Sequence, residues 1–324
     1  MPKKSYRLLI VGIGSIGSRH FEAISKTYFN KEIHILDKIS AIKKFKKKLN
    51  NFKKNKTIYL HKTSKTIPTN MDLVIIATNS NVRAKVTQDL INRIKIKFII
   101  FEKFLFQKES DYKKTINKLK KKRISSWVNC QRRMIPFYAY LKKKISSGKI
   151  EMKVSGNRWG LSGNSIHFLD LFFYLGGKTN KIKKVENNLE NKIYKSKRKD
   201  FIDFFGNLSI TFLDGSKIIF EDKKETRNSL KISVKNKNRI FDILEKEKII
   251  KLKIKNNNQI FLKNFKNYFT SEISTKIISQ ILLNKKSFLP RINESSRYHL
   301  ILLKIFLSHL QKIKRNKVKK CLVT

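Results

Sequence analysis

From residue 5 to about residue 130 the chain alternates short apolar runs with stretches whose apolar positions recur every three or four residues. The first pattern predicts buried strands and the second amphipathic helices. Strands are expected at YRLLIV (6–11), EIHILD (32–37), TIYL (57–60), DLVIIAT (72–78), KFIIFE (97–102) and SSWVN (125–129), with helical patterns such as SIGSRHFEAISKT and VRAKVTQDLINR between them. That alternation specifies an α/β fold with a doubly wound parallel sheet.

After about residue 150 the rhythm changes. The apolar helix LDLFFYLGG is followed by long period-two runs, including GNLSITFLDGSKIIFED (206–222), SLKISVK (229–235) and RIFDILEKEKIIKLKI (239–254). These read as antiparallel strands joined by tight turns, and Asp-Gly within LDG (213–215) accepts the positive φ that a hairpin turn needs. Two helices are expected near 266–284 and 293–314, and KIKRNKVKK beyond them reads as a solvated, frayed tail.

Composition narrows the class. With 324 residues, 40% of them hydrophobic, the chain can bury two cores. No apolar run reaches the 18 residues of a membrane span, and LLIVGIG after MPKK is too short and Gly-interrupted for a signal segment, so a cytoplasmic protein is expected. Cys130 and Cys321 lie far apart with no second metal-type ligand beside either, which suggests neither a disulfide framework nor a zinc site. The net charge of +52 is the usual footprint of a nucleic-acid binder. Here lysine far outnumbers arginine and is scattered through every segment beside Ile and Asn, so the charge reads as compositional and no specific nucleic-acid partner is expected.

The strongest chemical signal is GIGSIG, which follows the first strand directly and opens a helical pattern. Gly12, Gly14 and Gly17 stand in the order that permits a tight turn, close approach of a pyrophosphate and close packing of the helix, whose first amides, at Ser15 and Ile16, face the anion. Asp37 ends the second strand twenty residues beyond Gly17, where a carboxylate can hold both hydroxyls of a ribose. That favours NAD, while Lys38 and Lys43 leave NADP open as the cofactor.

Five segments in order, GIGSIGSRH (12–20), IIATNSNVR (75–83), FEK (101–103), VNCQRRMIP (128–136) and SIHFLDLFFYLGG (165–177), together resemble the Gfo/Idh/MocA oxidoreductases. The resemblance implies a dinucleotide-binding Rossmann domain over residues 1–130. Residues 131–324 would then form a substrate-binding and oligomerisation α+β domain on an open, mostly antiparallel sheet. It implies a small sugar-like substrate and a homo-oligomer, dimer or tetramer. The expected cofactor-lining residues are Gly12, Gly14, Ser15, Ile16, Gly17, Asp37, Thr78, Asn79 and Glu102, with Glu102 on the nicotinamide ribose. Glu102 and Lys103 match the family's Glu-Lys-Pro motif, and Phe104 replaces its proline. Lys103 is thereby placed at the carboxyl end of the fifth strand, beside the reacting hydroxyl, where it can polarise the oxygen or exchange a proton with it.

The family's second-domain motif carries an Asp four residues before a His or Tyr. His167 occupies the second of these positions and Gly163 the first. Lys103 and His167 are therefore the expected catalytic pair, with Asn164 a candidate to replace the lost carboxylate in binding substrate; loss of hydride chemistry is the competing reading. The helix is expected to start near Asn164 or Ser165, which puts His167 in its first turn, where the dipole favours the neutral ring. Packing with both nitrogens satisfied is the alternative. Asp170, counted with Arg133 and Asn164 among the expected substrate-site residues, is read either as orienting His167 or as a first-turn carboxylate, and Arg133, with Arg132 beside it, as a grip on an anionic substrate group or a structural tie. Trp159 is read as core and His20 as structural. The histidines show no metal-ligand spacing, so no metal is expected. The expected function is NAD(P)-dependent hydride transfer at a secondary hydroxyl or ketone of a sugar, cyclitol or nucleotide-sugar, for which surface-glycan synthesis is the family-based guess. The alternative is a non-catalytic NAD-binding or sensing protein that has lost the family Asp.

Overall fold

The structure is a computed structural model that describes residues 5–49, 57–145, 148–225, 229–254, 257–264 and 270–324. Two compact units emerge: Met1–Asn129 with Phe269–Glu294, and Cys130–Tyr268 with Ser295–Thr324.

The first unit contains β1 (Tyr6–Val11), α1 (Ser15–Ser25), β2 (Lys31–Leu36), α2 (Ile39–Leu49), β3 (Ile58–His61), β4 (Asn70–Ile76), α3 (Ser80–Arg93), β5 (Lys95–Phe101), α4 (Glu109–Lys121) and β6 (Ser125–Val128). All six strands are parallel, in the order β3-β2-β1-β4-β5-β6. Leu8, Leu9, Ile10 and Val11 are successive and all buried, as both faces of a helix-covered parallel sheet require. Strand order reverses between β1 and β4, the switch point at which ligands collect in such sheets.

The second unit contributes α5 (Pro136–Ile145), β7 (Glu151–Asn157), α6 (Leu161–Leu175), β8 (Ile182–Leu189), β9 (Tyr194–Lys195), β10 (Ile202–Asp203), β11 (Gly206–Phe212), β12 (Lys217–Lys223), β13 (Lys231–Lys235), β14 (Arg239–Leu244), β15 (Ile249–Ile254) and β16 (Asn257–Asn264). Eight strands form one sheet in the order β16-β15-β14-β13-β7-β12-β11-β8, antiparallel except for the β7–β12 pair. Burial alternates along β7 and β12, so one face carries the core. The Asp-Gly turn is present: Phe212 N donates to Ser216 O at 2.9 Å, and Gly215 takes φ +78°. β7 lies in the interior of the sheet, yet the sequence reading missed it. Its apolar positions are only Met152 and Val154, and Gly156 occupies the third inward place because a Cβ there would stand 3.2 Å from Leu230 Cα.

Two further helices follow, α7 (Thr270–Asn284) and α8 (Ile292–Lys314). The single cut expected at residue 130 left α7 with the second domain, whereas it packs on α1, with Thr275 Oγ1 donating to Ala23 O at 3.0 Å. The part of the expected 266–284 helix that precedes residue 270 lies outside the described residues. The segment after α8 is not a frayed tail throughout. Lys317, Lys319 and Lys320 are exposed, but Cys321 and Val323 are fully buried and Ile202 N donates to Leu322 O at 2.9 Å.

Candidate functional site

In the first unit the chain leaves β1 through Gly12, whose φ of +93° suits glycine. A Cβ there would lie 2.9 Å from Thr78 N, and one at Gly17 would lie 1.9 Å from Gly12 O, so both glycines are set by packing among loop, helix and the end of β4. Gly14 differs, because nothing stands within 4 Å of its Cβ position. It is the N-cap of α1, a helix with no side-chain cap and no acid in its first turn. An open, uncapped helix start with its positive dipole end fits a pyrophosphate. Asp37 braces this loop: its Oδ2 accepts from Ile13 N at 2.6 Å and its Oδ1 from Lys38 N at 2.7 Å. Each oxygen keeps a second lone pair for a ribose hydroxyl. Sequence reasoning assigned Asp37 to the ribose and missed its second task.

Beyond β4, Thr78 Oγ1 is buried without a hydrogen-bond partner among the described residues, and Asn79 is exposed at the N-cap of α3 with no side-chain capping bond. Arg83 in α3 is 1% exposed, and its guanidinium donates to Thr78 O, to Phe104 O and, at 3.2 Å, to Leu105 O. It therefore ties the loop after β4 to the loop after β5, on the far side of the cis Lys103–Phe104 peptide from half-buried Lys103. Glu102, at the end of β5, is buried; its Oε1 accepts from His20 Nε2 at 2.7 Å and from Asn129 Nδ2 at 2.6 Å. Burial pushes this carboxyl up, but the hydrogen bond and charge of His20, the Asn129 amide and the Arg83 charge together hold it below the usual range. Its Oε2 carries no hydrogen bond among the described residues and is the atom left for a ribose hydroxyl. Arg83 and His20 were the residues sequence reasoning failed to connect to the site, since the bonds that tie them to the end of β5 and the loop after it span 21 or more residues of sequence.

In the second unit, α6 begins at Leu161, not near Asn164 or Ser165. Two distant carboxylates set that start. Asp222 accepts from the amides of Trp159, Gly160 and Leu161 at 3.2, 3.0 and 3.1 Å, and Asp203 accepts from Ser162 N at 2.9 Å. Burial, with the charge of Asp203 adding to it, raises Asp222 to about 6 against those three backbone bonds. Asn164 lies inside the helix and its Nδ2 donates to Trp159 O at 2.6 Å. His167 consequently sits in the second turn, where a dipole effect confined to the first turn is spent. Asp170 sits in the third turn and is not a first-turn carboxylate. Its two oxygens accept from Arg133 Nε at 2.9 Å and Nη2 at 2.6 Å, both residues being buried, so these two expected substrate contacts are bound to each other. Arg132 makes the analogous two-point bond to Glu245 at 3.0 and 2.9 Å, joined by the Tyr138 hydroxyl at 2.6 Å. Trp159, read as core, is only half-buried: it packs against Phe168 with ring centroids 5.5 Å apart and donates from Nε1 to Glu221 O at 2.9 Å.

Between residues 161 and 172, Gly163, Asn164 and His167 are the half-exposed positions, and together they make one stripe of α6. Gly163 is closely covered: a Cβ there would stand 2.5 Å from Thr324 O. Among the described residues no group of three or more His, Cys, Asp or Glu is arranged to hold a metal, and no helix is long and apolar enough to cross a membrane.

No family model and no curated protein matches the sequence. Solved structures do match over nearly the whole length. A levoglucosan dehydrogenase in complex with NADH shares 14% identity at a TM-score of 0.73, over 96% of this chain and 98% of that one. The UDP-N-acetylglucosamine 3-dehydrogenase GnnA of Acidithiobacillus ferrooxidans shares 11% at 0.72, over 93% and 97%. A super-repressor mutant of Gal80p from Saccharomyces cerevisiae shares 15% at 0.72, over 95% and 97%. In both its parallel sheet and its mixed sheet, the chain has the fold of the Gfo/Idh/MocA-type oxidoreductases.

Proposed function

We propose that the protein is an NAD(P)-dependent oxidoreductase that interconverts a secondary hydroxyl and a ketone on a sugar, cyclitol or nucleotide-sugar. The observation that carries this reading is the cradle around Gly14: open space at its Cβ position, an uncapped α1 and Asp37 beside the loop. Gly12, Gly14, Ser15, Ile16 and Gly17 hold the pyrophosphate, Asp37 the adenosine ribose, Thr78 and Asn79 the approach to the nicotinamide, and Glu102 Oε2 its ribose. A nicotinamide held by these residues would supply the hydride acceptor or donor. Lys103 Nζ holds or releases the proton of the reacting oxygen, and His167 is assigned the second acid-base role. Arg83 fixes the carbonyls that follow Lys103, which limits the directions its side chain can take. The levoglucosan and UDP-N-acetylglucosamine dehydrogenases of this fold favour a sugar-type substrate, and the Asp37 carboxylate favours NAD over NADP.

The direct test follows nicotinamide absorbance across a panel of sugars, cyclitols and nucleotide-sugars. Turnover should appear with one class and fall by about 10²- to 10⁴-fold in Lys103→Ala. Turnover that survives Lys103→Ala intact would remove that residue from the chemistry.

A second reading rests on Gly163, where a side chain gives way to the backbone of Thr324, and on the presence of a repressor, Gal80p, among proteins of this fold. It is a non-catalytic nucleotide-binding or sensing protein, since fold alone does not fix activity. Tight NAD binding without turnover on any member of the panel would favour it.

A further inference from the structure

We propose that residues 321–324 form a strap seated on α6 and that glycine stands at position 163 because the strap requires it. Four observations meet here. Cys321 and Val323 are fully buried, which anchors the segment through its alternate side chains. Leu322 O accepts from Ile202 N at 2.9 Å, so the strap runs beside β10 and is hydrogen-bonded to it. The Thr324 backbone oxygen lies 2.5 Å from where a Cβ on Gly163 would be, closer than a Cβ tolerates, so the strap must shift to admit a side chain there. Gly163 is the third residue of a regular helix, so neither a turn nor a positive φ explains a glycine there.

Gly163 and His167 are four residues apart and share one stripe of α6. The backbone of Thr324 thus takes the place that a side chain at 163 would have beside His167, and the strap becomes a border of the surface that His167 presents. Its bearing on substrate choice rests on the oxidoreductase reading, whereas its docking does not.

The experiment measures thermal melting of four proteins: the full chain and a chain ending at Lys320, each with and without Gly163→Ala. Alanine is the better helix former in a helix interior. The strap therefore predicts a reversal of sign: Gly163→Ala lowers Tm in the full chain and raises it in the shortened one. In parallel, thiol modification read by mass spectrometry should label Cys321 at least about tenfold faster in full-length Gly163→Ala than in wild type, because opening of the strap sets the protection of its buried thiol. Removal of the strap should likewise speed acylation of His167 by diethyl pyrocarbonate severalfold. A Gly163→Ala full chain that melts at or above wild type, with Cys321 equally protected, overturns the seating. His167 acylated at the same rate with and without the strap overturns the border. None of these readouts needs turnover, so failure of the strap and failure of the oxidoreductase reading are told apart.

Discussion

His20 Nε2 donates to Glu102 Oε1 across 2.7 Å, joining the first helix of the first unit to the end of β5 inside the core. His20 lies one turn beyond the glycine loop, so this bond links the loop assigned to the pyrophosphate to the carboxylate assigned to the nicotinamide ribose. His20→Ala should leave Glu102 buried with one donor fewer and cost about 1–3 kcal/mol of stability. It should also weaken NADH binding, measured by calorimetry, more than an exposed control such as Lys44→Ala. Equal affinity in the two variants would reduce the pair to packing.

Arg133 and Asp170 make a separate prediction in the second unit. Asp170→Ala strands a buried guanidinium and should cost about 3–5 kcal/mol in urea denaturation. Replacing both partners by apolar residues of similar size, Arg133→Met with Asp170→Leu, should recover much of that loss. If the single variant costs under about 1 kcal/mol, Arg133 is not held by Asp170 and its assignment to substrate regains force.

Much of this was legible in the chain. All six strands of the parallel sheet fall within a residue or two of the runs that predict them, and in β1 and β4, buried on both faces, the run is a near-uninterrupted hydrophobic stretch. GIGSIG and FEK sit directly after such runs, at strand ends, which is a position readable from the sequence. The start of α6 was not legible. The sequence offers Asn164 and Ser165 as caps, yet Asp222, fixed by register on β12 some sixty residues away, caps the helix earlier and moves His167 out of the first turn. The same limit hid β7, whose alternation is two apolar residues deep, and the docking of residues 321–324, whose burial depends on partners at 163 and 202.

The stacked pair His34 and His61 gives the protein an acid sensitivity. Their Nδ1 and Nε2 are 2.9 Å apart, and His61 Nδ1 is 2.9 Å from Thr66 Oγ1. Burial lowers both; in His34 the charge of His61 lowers it further and Glu32 partly opposes. The unfolded chain therefore binds more protons than the native one below about 6.5, and the pair's contribution, full above that pH, is lost as pH falls through it. Asp222, raised to about 6, works the other way, its contribution falling as pH rises from about 4 to 6. The histidine effect is isolated by comparing Tm between pH 7.5 and 5.5 in wild type and in His61→Gln, which should show the shallower acid loss. Parallel curves would show that the pair does not titrate differently on unfolding.

Asp37 should make NAD the preferred cofactor, because its carboxylate repels a 2′-phosphate. Asp37→Asn keeps an acceptor for Ile13 N at the expense of the bond from Lys38 N, and removes the repulsion. The ratio of NADPH to NADH affinity should rise by about tenfold or more, the scale of one charge-assisted hydrogen bond. An unchanged ratio would place cofactor choice elsewhere, with Lys38 and Lys43 the next positions to vary.

Whether the space at Gly14 receives a dinucleotide pyrophosphate is decided by calorimetric titration of NADH into wild type and Gly14→Val. A Cβ at 14 meets nothing within 4 Å among the described residues and Gly14 has φ −68°, so the variant should fold with a Tm within a few degrees of wild type. Binding to wild type with loss of at least about 100-fold in affinity in Gly14→Val is the expected result. Absence of binding to wild type with either NADH or NADPH, or equal affinity in the variant, contradicts the account.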